Sequence, residues 1–150
     1  MSAIRGSDMY WSKRDEWKLR GKDFMIVVSR HEESSCLSYE GDNRWCVYAY
    51  IYPKHPHFSE FSGPSCWQDA ANAMPLHGGA TLLDYPARDG SITSVHIGAD
   101  YNHLHDDSFT FYATKKDAYE VFNDAGELFD WLQARAIQAS QIEEATGEAA

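Results

Sequence analysis

Two stretches of the chain have the apolar patterns of β-strands. Phe24–Val28 is a short, uninterrupted apolar run rich in β-branched residues, which is typical of a buried strand. Residues 45–52 alternate with period two and stop at Pro53, which lacks the N–H needed to continue a ladder. One face of this second strand is predicted to carry Trp45, Val47, Ala49 and Ile51.

The second half of the chain predicts a hairpin and a helix. Residues 80–85 and 91–97 are expected to pair, because the turn formers Asp89-Gly90 end the segment between them. Asp124 and Glu127 form a capping box, after which apolar residues recur at helical spacing. We also expect one helical turn near residues 65–73, capped by Ser65, and a short strand at Phe109–Tyr112.

Together these elements predict an α+β fold. A mostly antiparallel sheet of four or five strands would carry the C-terminal helix packed on one face. Residues 23–139 would form this single domain, preceded by a basic N-terminal arm at 1–22 and followed by a frayed or disordered tail at 140–150.

Composition and length narrow the class of protein. The 150 residues are 43% hydrophobic and 14% aromatic, which is too apolar for intrinsic disorder. No apolar run approaches the roughly 20 residues of a membrane span, so no membrane association is expected. Three cysteines at wide spacings match neither a disulfide framework nor a zinc clip, which favours the cytoplasm.

The charge of the chain is uneven. Residues 1–22 hold six basic and three acidic residues. The whole chain has a net charge of −10, so the other 128 residues together carry −13. Such a body repels phosphates at long range and attracts basic protein surfaces. Direct binding of duplex nucleic acid is therefore not expected.

The candidate chemistry lies in loops that contain histidine and aspartate. All seven histidines fall between positions 31 and 105. His77 opens a run with Gly78 and Gly79, whose backbone amides could face a ligand. Asp100, His103 and Asp106 follow at spacings of three, so that one helical turn would align them.

Imidazole and carboxylate together suit zinc, manganese or iron and leave a position open for water. We therefore predict a divalent metal site, with zinc or manganese as the ion, formed by His77, Asp100, His103 and Asp106. Without a metal, His77, Asp100 and His103 could supply general acid and base catalysis. A solvated loop whose side chains cap its own amides is the structural alternative.

These alternatives make two geometric predictions. His77 and His103 should approach one another, with Asp100 or Asp106 in the same pocket at the ends of the central strands. Asp100 is expected to carry a buried charge that caps backbone amides or holds one of the imidazoles.

Four motifs also resemble a family of small uncharacterised proteins of phages and bacterial mobile elements. In chain order they are Trp45-Cys-x-Tyr48, Pro53-x-His55-Pro56, His77-Gly-Gly-x-Thr81 and Gly98-x-Asp100-x-x-His103-x-x-Asp106. The similarity covers residues 44–107 and departs from the family at Tyr101 and in an insertion between Phe58 and Leu76. The resemblance implies functional roles for His55, His77, Asp100, His103 and Asp106, but it supplies no activity. We also predict a ligand-binding set, formed by His55, Gly78, Gly79 and Thr81.

Two functions from different classes follow as hypotheses. The first is a small phage-type hydrolase of a small or phosphorylated substrate, using the histidines and aspartates with or without a metal. The second is an anti-CRISPR-like counter-defence inhibitor, whose acidic body binds a host protein or complex in the host cytoplasm.

Overall fold

The computed structural model describes residues 14–62 and 67–149. Seven strands appear in chain order: β1 (Arg14–Gly21), β2 (Phe24–Glu32), β3 (Asn43–Ile51), β4 (Leu82–Asp84), β5 (Ala87–Arg88), β6 (Ser91–Ile92) and β7 (Val95–Asp100). The helices are α1 (Trp67–Asn72), α2 (Tyr119–Ala149) and two 3-10 helices at Phe58–Phe61 and Asp107–Phe111.

Five of the strands form one antiparallel sheet in the order β1-β2-β3-β7-β4. Helix α2 packs on one face of it, where Phe24 of β2 meets Phe129 at a ring-centroid distance of 5.1 Å and Trp45 of β3 meets Phe122 at 5.9 Å. The α+β fold predicted from the sequence is therefore confirmed.

The core lies between this sheet face and α2. The period-two pattern of β3 is confirmed, because the four predicted inward residues are almost fully buried together with Val121, Leu128 and Leu132 of the helix. Removing such side chains from water is the main favourable contribution to folding. In the described residues, no helix combines the length and apolar composition required to cross a lipid bilayer.

The predicted hairpin is present, and a second, two-stranded ribbon lies between its strands. β4 pairs with β7, placing Leu83 opposite Ile97. Between these strands, β5 and β6 form a separate two-stranded ribbon closed by Asp89 and Gly90, both at positive φ (52° and 80°). Two consecutive left-handed residues are the conformation that an Asp-Gly hairpin turn requires.

The prediction of a basic arm is wrong for residues 14–21. These residues form β1, which pairs with β2 along its whole length. Trp17 stacks on Trp45 with ring centroids 5.6 Å apart, and the Asp15 carboxylate accepts a hydrogen bond of 2.6 Å from the buried Arg30. Pairing with β2 and the partial burial of Trp17 against the core place this charged segment in the sheet. Residues 1–13 lie outside the described residues.

The structure also changes the bounds of the C-terminal helix and the type of one expected strand, and it contains the expected short helix. Helix α2 begins at Tyr119, ahead of the proposed cap at Asp124, and continues through the predicted tail to Ala149. Phe109–Tyr112 is not a strand, because residues 107–111 form a 3-10 helix closed by a bond from the Thr110 hydroxyl to the Asp107 carbonyl. The short helix near 65–73 is α1, and its proposed cap Ser65 lies outside the described residues.

Gly98 of β7 is required by close packing across the sheet. A Cβ at this position would lie 2.5 Å from Tyr48 Cδ1 and 2.6 Å from the Val47 carbonyl oxygen, whereas a Cβ at Gly126 of α2 would meet nothing within 4 Å. We predict that Gly98→Ala lowers the free energy of unfolding by about 1 to 3 kcal/mol through overpacking. Gly126→Ala should raise it by about 0.5 to 1 kcal/mol. Urea denaturation of both variants measures this, and equal effects would contradict the packing argument.

Candidate functional site

The candidate site lies where two loops meet at one end of the sheet. His77 belongs to the loop that enters β4, and His103 and Asp106 belong to the loop that leaves β7. Because β4 and β7 are antiparallel neighbours, with Leu82 opposite Gly98, the start of one strand lies beside the end of the other. The amide of Thr81 fixes this junction by donating to the Gly98 carbonyl at 2.9 Å.

The carboxylate of Asp106 is the centre of the cluster and is buried, with 6% of the residue exposed. It accepts hydrogen bonds of 2.9 Å from His77 Nε2 and 2.9 Å from His103 Nδ1. The backbone amide of His103 adds a third donor at 3.0 Å. The two imidazole rings lie 5.5 Å apart between centroids, so the predicted approach of His77 and His103 around a shared carboxylate is confirmed.

These donors determine the acidity of Asp106. Burial alone would raise the pKa of this carboxyl group, but the hydrogen bonds from the His103 amide and from both imidazoles outweigh burial and hold the pKa below its ordinary value. Asp106 is therefore an anion whose charge is balanced by N–H donors. A buried carboxylate is tolerated on this condition.

Two residues that the sequence analysis missed hold His77 in place. The ring of Tyr101 lies parallel to that of His77, 4.2 Å away with an interplanar angle of 13°. Its hydroxyl donates to Asp124 of α2 at 2.5 Å, and burial together with this bond raises the pKa of Tyr101. The signal was the period-two continuation of β7 through Ile97, Ala99 and Tyr101 onto the covered face of the sheet.

The prediction that Asp100 carries a buried charge is wrong. Its side chain is 45% exposed, so it is not a buried charge, and the buried carboxylate is that of Asp106. The Oδ1 atom of Asp100 lies 3.7 Å from His103 Nε2, which is too far for a hydrogen bond. Within the described part of the chain, that buried nitrogen has no hydrogen-bond partner.

Polar groups of the predicted ligand-binding loop form hydrogen bonds within the protein. The Gly79 amide donates to the Leu76 carbonyl at 3.0 Å, so it does not offer its N–H to a ligand. The Thr81 hydroxyl accepts from the Asp100 amide at 3.1 Å. Gly78 has φ 68° and lies against His103, where a Cβ would be 3.1 Å from the ring. These residues support the positions of His103 and Asp100.

His55 is separated from the cluster by its bonding, contrary to its predicted ligand role. It is 1% exposed; its Nδ1 accepts from the His57 amide at 3.0 Å and its Nε2 donates to the Leu132 carbonyl at 2.9 Å. Both ring nitrogens are therefore used in joining this loop to α2. His57 is also buried, but both its nitrogens face oxygen atoms: Nε2 lies 2.9 Å from the Ala70 carbonyl and Nδ1 lies 2.8 Å from the Glu60 carboxylate.

The geometry of the cluster allows metal binding or acid and base catalysis. Ligating atoms of His77, His103 and Asp106 lie within 4.8 Å of one another, and the set does not include Asp100. Both imidazoles are partly exposed, at 28% and 32% of the side chain, whereas the carboxylate is buried. Each ring is thus partly exposed to solvent, and the hydrogen bond to Asp106 fixes its orientation.

Comparison with known proteins adds no assignment. No family model, curated protein or solved structure matches the chain. The similarity of the motifs to phage and mobile-element proteins stays a prediction.

Buried histidines make stability sensitive to mild acid. Burial lowers the pKa of His55, against the opposing effect of the Leu132 hydrogen bond, and burial lowers the pKa of His57 as well. In the unfolded chain these histidines have the ordinary pKa of 6.5. Below that pH they therefore bind more protons in the unfolded chain than in the folded chain. We predict a loss of unfolding free energy from about pH 6.5 downward. His55→Gln should reduce the slope, and His105→Asn, at an exposed position, should leave it unchanged; urea titrations at pH 7.5 and 5.5 test this.

The two aspartates should differ in their contribution to stability. Asp106→Asn removes the charge that three N–H donors face, so the free energy of unfolding should fall by about 1 to 3 kcal/mol. Asp100→Asn, at a half-exposed side chain, should change it by less than about 0.5 kcal/mol. Chemical denaturation at neutral pH measures both values, and a larger loss at position 100 would contradict the assignment of the buried charge.

Proposed function

We propose that His77, His103 and Asp106 bind a divalent metal ion of the zinc type, and that the protein is a metal-assisted hydrolase. The observation that carries the proposal is the convergence of two imidazoles from separate loops on one buried carboxylate. A loop that merely capped its own amides would not need a second loop to supply His77.

The spacing of the three side chains suits a zinc shell. With metal–ligand bonds of about 2.0 to 2.2 Å, ligand atoms at tetrahedral angles are about 3.3 Å apart. The two nitrogen–oxygen distances to Asp106 are both 2.9 Å and all three ligand atoms lie within 4.8 Å of one another, so an ion would replace the two N–H protons and the side chains would adjust around it. Two imidazoles with one carboxylate favour zinc or manganese over magnesium and calcium, which prefer oxygen ligands.

Three protein ligands leave a coordination position for water. A metal-bound water ionises near neutral pH and becomes a nucleophile, and the ion polarises the carbonyl or phosphoryl oxygen under attack. The partial exposure of both imidazoles supports access from solvent. This chemistry suits a small ester or phosphate ester, the substrate class expected from the sequence.

The charge supports a second candidate, a counter-defence protein that binds a basic surface of a host complex in the cytoplasm. The net charge of −10 would steer such a protein to its partner, and the histidine cluster would then be structural. The two candidates place their essential residues in different parts of the molecule. Variants of the cluster therefore separate them.

Metal uptake tests the first part of the proposal. Wild-type protein stripped with chelator and titrated with zinc should bind about one ion per chain, as calorimetry and elemental analysis would measure. His77→Ala and Asp106→Ala should each weaken binding at least about tenfold, since each removes a ligand. His105→Asn changes an exposed neighbouring histidine and should bind like wild type. Equal affinity in all four proteins would contradict the site.

Hydrolysis tests the second part. Zinc-loaded protein is assayed with p-nitrophenyl phosphate, bis(p-nitrophenyl) phosphate and p-nitrophenyl acetate, with His105→Asn as the control. We expect turnover of at least one ester that is lost in His77→Ala and abolished by EDTA. Turnover that resists EDTA but needs His103 would replace the metal with acid and base catalysis. Zinc uptake without turnover of any ester would leave the metal site standing and reject the hydrolase.

A further inference from the structure

The buried Nε2 of His103 presents an unresolved hydrogen-bonding problem. No residue in the described ranges bonds to this atom, although it is shielded from solvent. An unpaired polar atom in such a position costs free energy, so it needs a partner in some state of the protein. The carboxylate oxygen of Asp100 faces it from 3.7 Å.

The other nitrogen of the ring determines what Nε2 can do. Nδ1 donates to Asp106, so the neutral ring carries its proton on Nδ1. Nε2 then presents a lone pair toward the lone pairs of Asp100. Two acceptors do not form a hydrogen bond with each other, and the distance of 3.7 Å agrees with that state of the ring.

We propose that Asp100 is a positioning residue for the metal site, acting through His103, and not a metal ligand. In the metal-loaded protein, Nδ1 coordinates the ion and Nε2–H donates to Asp100. The Nδ1 proton leaves to solvent and one proton is taken up at Nε2, so His103 stays neutral and its tautomer changes. This inference rests on the metal site proposed above.

The surroundings allow this change with little movement. Asp100 ends β7, and its amide is held by the Thr81 hydroxyl at 3.1 Å, while its half-exposed side chain has room to approach the ring. Gly78 lies beside the imidazole and leaves it room, because a Cβ at this position would be 3.1 Å from the ring carbon. A carboxylate behind a metal-bound histidine fixes the ring and strengthens its ligating nitrogen.

The test is the tautomer of His103, measured by long-range ¹H–¹⁵N correlation on ¹⁵N-histidine-labelled full-length protein at pH 8. The stripped protein should show the proton on Nδ1. After zinc loading, Nδ1 should be coordinated and the proton should be on Nε2. Coordination through Nε2, or a stripped protein with protons on both nitrogens, would overturn the inference.

Zinc affinity of Asp100 variants completes the experiment. Asp100→Ala should weaken zinc binding about 10- to 100-fold, and Asp100→Asn less, because its amide oxygen still accepts a hydrogen bond. Asp84→Ala removes the same charge from an exposed position of β4 and should have little effect. If Asp100→Ala binds zinc as tightly as wild type, the positioning role of Asp100 is overturned and the metal site stands. If the wild-type protein takes up no zinc, both the metal site and the role of Asp100 are overturned.

Discussion

The buried carboxylate of Asp106 imposes the main constraint on this end of the molecule. An anion withdrawn from water must be surrounded by donors, and here the donors come from two loops that are more than 25 residues apart in the chain, since the bond to His77 spans 29 positions. This side chain thus joins the loop entering β4 to the loop leaving β7, beside the bond from the Thr81 amide to the Gly98 carbonyl. The positions of both imidazoles follow from this pairing.

The sheet makes the pairing possible. β4 is only three residues long, yet its register with β7 is fixed, because a slip of one residue would exchange the two faces of the strand. Tyr101 extends the same strand direction onto the covered face, where it meets both the His77 ring and Asp124 of α2. The helix therefore contributes to the core and also, through the Asp124 carboxylate that accepts the Tyr101 hydroxyl, to the support of His77.

Sequence patterns predicted the parts of the molecule that depend on local periodicity. The alternation in residues 45–52 gave β3 and its buried face, and the spacing of His103 and Asp106 pointed to a shared site. The roles of the two aspartates were exchanged, because spacing does not show which carboxylate turns inward. β1 was missed because its charged residues conceal Trp17, whose burial against Trp45 depends on a partner distant in sequence.

The buried and the partly exposed histidines of this protein differ in their bonding partners. His55 and His57 direct Nε2 to backbone carbonyls in the interior, whereas His77 and His103 direct nitrogens to a carboxylate beneath a partly open surface. The acidic body attracts cations of every kind, since a net charge of −10 raises their local concentration without discriminating among them. Discrimination must therefore come from the ligand atoms. Carboxylates alone would serve magnesium and calcium, so in the proposed metal site the pair of imidazoles would favour a zinc-type ion.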